Sequence, residues 1–151
     1  AYSLGKTQRI LAGLSKLTNE LVLLHGASTE LTQIYREAGV EMVPTAPVSQ
    51  SIIAGEYERG LVIAPPSAFR SRWLKKFKEF RTGFCSGWML VRGNRRRNGY
   101  DRGFVISDHA DWNGLIKTIK ESNAKTILVT HGRSDVLIRY LKDNAIKATQ
   151  L

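Results

Sequence analysis

Apolar residues recur along this chain in two alternating rhythms. Residues 5–17 place Ile10, Leu11, Leu14 and Leu17 on one stripe of a 3.6-residue period, which predicts an amphipathic helix. Residues 21–24 are continuously apolar and predict a short buried strand. Ser28 stands where a helix N-cap is expected, and Gly39 where that helix should stop, giving a second helix over 28–38. Residues 41–59 carry Pro44 and Pro47 and read mostly as loop. Another apolar run at 61–64 predicts a strand. Pro65-Pro66-Ser67 turns the chain into a helix over 69–80, and 82–86 form a further strand. Residues 88–103 interrupt the rhythm with glycines, asparagines and arginines. Beyond them come a strand at 103–107, a helix at 111–122, a strand at 126–130 and a closing helix at 134–144. Such alternation predicts an α/β fold: a mainly parallel sheet, flanking helices on both faces and right-handed crossovers.

The 151 residues suit one domain or two small lobes, and a hydrophobic fraction of 42% is enough for a sizeable core. No apolar run approaches the ~20 residues of a membrane-spanning helix. The start at Ala1 lacks both an initiator Met and a leader pattern, as in a processed or excised piece. The lone Cys85 allows no internal disulfide and fits a reducing cytoplasm; its surroundings predict a buried small hydrophobe. Charge changes the picture most. Twenty-three Lys and Arg face thirteen acids, for a net charge of +10 and a pI near 10.1, which points to a polyanionic partner such as nucleic acid.

In open α/β sheets, ligands bind beyond the carboxyl ends of the strands. All three histidines fall there: His25 after 21–24, His109 after 103–107 and His131 after 126–130. One helix and one strand separate His109 from His131. If their strands are neighbours, about 4.8 Å apart, both imidazoles reach one ligand. The plainer alternative makes them surface residues beside helix starts that Ser107, Asp108 or Asp111 cap. Pro65-Pro66-Ser67 reads either as an anion-binding turn or as a stiffened connection with Ser67 as N-cap. Gly5-Lys6-Thr7 echoes the end of a P-loop, but no glycine stands five positions earlier and no strand leads in, so a helix start with Ser3 as N-cap is the better reading. Arg92, Arg95, Arg96, Arg97 and Arg102 form a basic cluster suited to phosphate contacts. Trp88, Tyr100 and Trp112 flank it and could stack on bases, although a half-buried position is expected for Trp88.

The stretch Phe104-Val105-Ile106-Ser107-Asp108-His109-Ala110-Asp111-Trp112, followed by Ile127-Leu128-Val129-Thr130-His131-Gly132, resembles the end of β-CASP nucleases of the metallo-β-lactamase superfamily. The similarity is greatest to the bacterial ligase-associated DNA exonuclease branch, related to mRNA 3′-end processing exonucleases. Tyr2-Ser3-Leu4-Gly5-Lys6-Thr7-Gln8-Arg9, Ala64-Pro65-Pro66-Ser67-Ala68, Ser86-Gly87-Trp88-Met89, Arg92-Gly93 and Asp101-Arg102-Gly103-Phe104 also agree.

The resemblance implies that residues 1–90 are a β-CASP-like lobe and 91–151 the C-terminal segment of a metallo-β-lactamase core. It implies hydrolysis of phosphodiester bonds with two zinc ions, with His109 assisting proton transfer at the scissile phosphate and His131 ligating zinc. Ser67 and the arginines would contact nucleic acid, DNA being favoured over RNA. It further implies a bacterial, cytoplasmic protein associated with an ATP-dependent DNA ligase and a helicase. The family's H-x-H-x-D-H motif does not occur in this sequence. A catalytic zinc needs about three protein ligands, so this chain alone is expected to be metal-poor and inactive. The rival expectations are a non-catalytic α/β nucleic-acid-binding module and, less favoured, a nucleotide-binding regulatory domain.

Overall fold

The computed structural model describes residues 1–48, 60–91, 99–132 and 134–151. Arg92, Arg95, Arg96 and Arg97 lie outside the described residues, as does most of the loop expected over 41–59. The chain forms two compact units, residues 1–108 and 109–151. The architecture is α/β, and every strand pairing among the described residues is parallel.

In the first unit, helix α1 (Lys6–Leu14) precedes strand β1 (Val22–Leu24) and helix α2 (Gly26–Glu37). Strand β2 (Thr45–Pro47) and strand β3 (Leu61–Ile63) flank β1, pairing Leu23 with Ala46 on one side and with Val62 on the other. All three residues of β1 are buried, as the central strand of a parallel sheet covered on both faces must be. Leu11 packs with Val22, Leu24, Met42, Val43 and Ile63 to make the core. β2 was hidden in the sequence by Pro44 and Pro47; at an edge, a proline's missing N–H costs nothing to the ladder.

Helix α1 is shorter than the apolar stripe predicts. It ends at Leu14, and Leu17 is exposed beyond it. Ser3 is not its cap: Gly5 holds the N-cap position, and the Ser3 carbonyl accepts instead from Gln8 Nε2 at 3.0 Å. α2 starts earlier than expected because His25, not Ser28, is the cap. The His25 Nδ1 accepts from the Ala27 N–H at 3.1 Å, and Ser28 is buried within the helix. Gly39, at φ +84, closes α2 as the sequence predicts.

The helix expected over 69–80 is replaced by two 3₁₀ turns, Pro66–Arg70 and Arg72–Lys76. Ser71 separates them in an extended conformation (φ −98°, ψ 168°), and its hydroxyl accepts from Trp73 N at 3.1 Å. A serine that bonds its own neighbouring backbone competes with helix continuation. Strand β4 (Gly83–Cys85) pairs with strand β5 (Arg102–Phe104), so hydrogen bonds cross the lobe boundary expected at residue 90. Asp101 Oδ2 accepts from both the Thr82 N–H and the Thr82 hydroxyl at 2.7 Å, locking the two strands at their start.

In the second unit, helix α3 (Trp112–Glu121), strand β6 (Ile127–Val129), helix α4 (Asp135–Asp143) and strand β7 (Ala148–Gln150) enclose a core of Ile116, Leu141 and Ala148. β6 pairs with β7, a strand whose Ala-Thr-Gln sequence carries no strand signature. Where the alternation predicts a single sheet, the strands among the described residues form three small parallel sheets of three, two and two strands. No helix among the described residues is long and apolar enough to cross a membrane.

Candidate functional site

Each of the three histidines lies downstream of a strand, and their surroundings differ. His25 follows β1 directly. Its ring caps α2 and meets Trp73 edge-on with centroids 4.8 Å apart, so its nitrogen and its face both serve the fold.

The segment following β5 is held by α1. Lys6 is only 2% exposed, and its ammonium lies 3.0 Å from Asp108 Oδ1. The same ammonium sits 4.9 Å from the centroid of the Tyr2 ring, within cation–π range. Arg9 donates through Nη1 to the Ser107 carbonyl. Gly5 has φ +74, and a Cβ there would stand 3.1 Å from Asp108 Oδ2. In the sequence Gly5-Lys6-Thr7 reads as a plain helix start. A lysine in the first turn of an otherwise amphipathic helix looks solvated, and only the fold reveals the carboxylate facing it.

His109 follows Asp108 in sequence and opens the second unit, exposed to solvent. Asp111 does cap α3: its Oδ1 accepts from Gly114 N at 2.7 Å. His131 lies two residues past the end of β6, exposed, with φ +65. Gly132 follows at φ +69. Asn123 and Ala145 share this left-handed backbone, and histidine is one of the residue types enriched there. The ring Nδ1 is 3.1 Å from Thr130 Oγ1, and Nε2 has no hydrogen-bond partner among the described residues. If Nδ1 carries the proton and donates to Thr130, Nε2 presents a lone pair outward, the form in which imidazole ligates a metal.

Within the first unit β5, before His109, pairs with β4, and within the second unit β6, before His131, pairs with β7. Among the described residues no group of three or more His, Cys, Asp or Glu side chains could hold a metal. His131 is one potential donor, and the described residues do not by themselves fit a catalytic zinc.

The remaining candidates divide cleanly. Ser67 is exposed within the first 3₁₀ turn, but Pro65, not Ser67, occupies the cap position, and the Pro65 carbonyl accepts from Ala68 N. Arg102 is exposed at the start of β5, with its backbone N–H bonded to the Thr82 carbonyl at 2.9 Å. Trp88 is 73% exposed rather than half-buried. Tyr100 is stacked on Phe84 (centroids 4.8 Å, planes 7° apart) and meets Phe69 at 4.7 Å, so it belongs to the packing of the first unit. Burial raises its phenol pKa. Cys85 is half-buried at the end of β4, and desolvation pushes its thiol pKa up, the opposite of an activated nucleophile. Trp112 meets Tyr140 edge-on at 5.1 Å and forms, with Lys117 and Lys120, the wall of a shallow groove on α3 and α4.

Over 147 residues the chain is 29% identical to a probable DNA ligase of Opitutus terrae. That match takes in 97% of this chain and 14% of the relative, so the chain spans a small part of that protein's length. No family model matches the chain. No solved structure matches it.

Proposed function

We propose that this chain is the C-terminal part of a phosphodiester-cleaving nuclease acting on DNA, with His109 and His131 at its reactive edge. The observation that carries the reading is His131 itself: a non-glycine residue in left-handed backbone just past a strand end, with one ring nitrogen on Thr130. His109 occupies the other strand-to-helix connection of the resemblance, in an Asp-His-Ala-Asp stretch whose first Asp is bound by Lys6 and whose second caps α3.

In this reading His109 moves a proton at the scissile phosphate, and His131 supplies one donor nitrogen to a metal centre completed by residues beyond this chain. A net charge of +10 draws the DNA in and makes its binding salt-dependent. A nuclease and a ligase both work on strand ends, which accords with a relative called a probable DNA ligase. The second reading is a DNA-binding module without catalysis, in which Trp112, Lys117 and Lys120 offer stacking and phosphate contacts beside Glu121 on the groove of α3 and α4.

The deciding experiment incubates the full-length protein with end-labelled single- and double-stranded DNA, with and without chelator. The nuclease reading expects shortened products that disappear with chelator. Retention of the DNA without any cleavage, in either condition, establishes the binding module instead.

A further inference from the structure

Lys6, in the Gly5-Lys6-Thr7 turn, is the most enclosed charge in the first unit's described residues. A buried ammonium is tolerated only with a partner, and an apolar residue would hold a helix start down as well. What the charge adds is direction, because it specifies where one carboxylate must lie. That carboxylate, on Asp108, receives Lys6 at 3.0 Å. Arg9, one helical turn on, binds the carbonyl of the preceding residue, Ser107. Gly5, with no Cβ, lets Asp108 Oδ2 approach its backbone, where an added carbon would stand only 3.1 Å away. Two consecutive residues are therefore held through a side chain, a main-chain oxygen and close backbone approach, all from within the first unit.

We propose that the Gly5–Lys6–Arg9 turn is a positioning device for His109. It fixes the chain through Asp108, whose carbonyl forms the planar peptide that His109 completes. Rotational freedom at the point where the His109 backbone departs is thereby reduced. Lys6 and Arg9 act through Asp108 and Ser107 and do not touch substrate. The proposal rests on the nuclease reading for its consequence, but its structural content stands apart from it.

The test uses Arg9→Met and Lys6→Met in the full-length protein, with Arg9→Lys as the conservative control. Arg9 is exposed, so its replacement leaves the fold intact even where Lys6→Met does not. On a labelled DNA oligonucleotide, Arg9→Met is expected to lower kcat by about 10²-fold, the scale of a 1 Å misplacement, with KM unchanged. Arg9→Lys should recover most of that loss. In parallel, NMR of the 151-residue chain follows the imidazole resonances: Arg9→Met should shift His109 and leave His25 and His131 in place. Unchanged kcat in folded variants overturns the proposal. So does loss of kcat and KM together with a lowered Tm and movement of all three imidazoles, which marks a general structural role. If the wild-type protein cleaves nothing, the nuclease reading fails, and the NMR arm alone decides positioning: a selective His109 shift upholds it and no shift overturns it.

Discussion

Lys6 and Asp108 form a 3.0 Å ion pair that joins the first turn of α1 to the last residue of the first unit. Lys6 is nearly inaccessible, while the Asp108 side chain keeps 26% exposure. Removing the carboxylate strands the enclosed Lys6 ammonium, which costs far more than the pair contributes net. Asp108→Asn should therefore destabilise the protein by roughly 3 kcal/mol, the lower end for a broken buried pair. The double variant Lys6→Met/Asp108→Asn should be the more stable of the two. Urea unfolding of the single and double variants measures this, and equal losses would show that the pair is not energetically coupled.

Gly5 and Gly13 sit at the two ends of the same helix and should respond oppositely to alanine. Gly5 has φ +74 and faces Asp108, so Gly5→Ala should cost roughly 1–2 kcal/mol from left-handed strain alone. Gly13 lies within α1 with nothing within 4 Å of an added Cβ, so Gly13→Ala should stabilise by about 0.4–1 kcal/mol. Thermal melts of the two variants, one below and one above wild type, are the expected pattern.

Asp101 ties acid sensitivity to the β4–β5 pair. The Thr82 hydroxyl and backbone N–H both donate to its carboxylate and hold its pKa below the ordinary 3.8. A depressed folded pKa means the stabilisation is present above about pH 3.8 and is lost as pH falls through the folded value. An NMR titration of the Asp101 carboxyl should show a midpoint under 3.8, and Thr82→Val should move it upward. A midpoint at or above 3.8 in the wild-type protein contradicts the assignment.

The arginines at 95, 96 and 97 are expected to serve the phosphate backbone. Their triple replacement by alanine should weaken DNA binding and flatten the plot of log K against log salt. Each lost contact on single-stranded DNA should remove about 0.7 from the slope. A slope identical to wild type would place the DNA path elsewhere, with Lys117 and Lys120 the next variants to make.

The sequence disclosed most of this architecture because its apolar runs are unambiguous. β1, β3, β6 and α3 fall within two residues of where the pattern puts them. β2 and β7 escaped notice because three residues are too few for a period of two to register, and Pro47 argues against a strand unless it lies at an edge. The helix over 69–80 failed on Ser71, whose own hydroxyl breaks it. At the candidate site, His131 was legible from its place after an apolar strand, but its left-handed backbone was not. Lys6 was visible only as a fragment of a motif that did not apply. Its role depends on a carboxylate at the far end of the first unit, and no local pattern encodes such a pairing.

The account stands on the two histidines that follow β5 and β6, and hydrolysis tests them most directly. The measurement is the initial rate of release of labelled nucleotides from DNA by the full-length protein and by its His109→Ala and His131→Ala variants, with folding checked by circular dichroism. Loss of a positioned proton-transfer group lowers rates by about 10²–10⁴-fold, and His109→Ala is expected to lose activity on that scale; His131→Ala, which removes a metal donor, is expected to lose activity and bound metal together, while His25→Gln retains activity. Wild-type rates in a folded His109→Ala or His131→Ala protein would contradict the account.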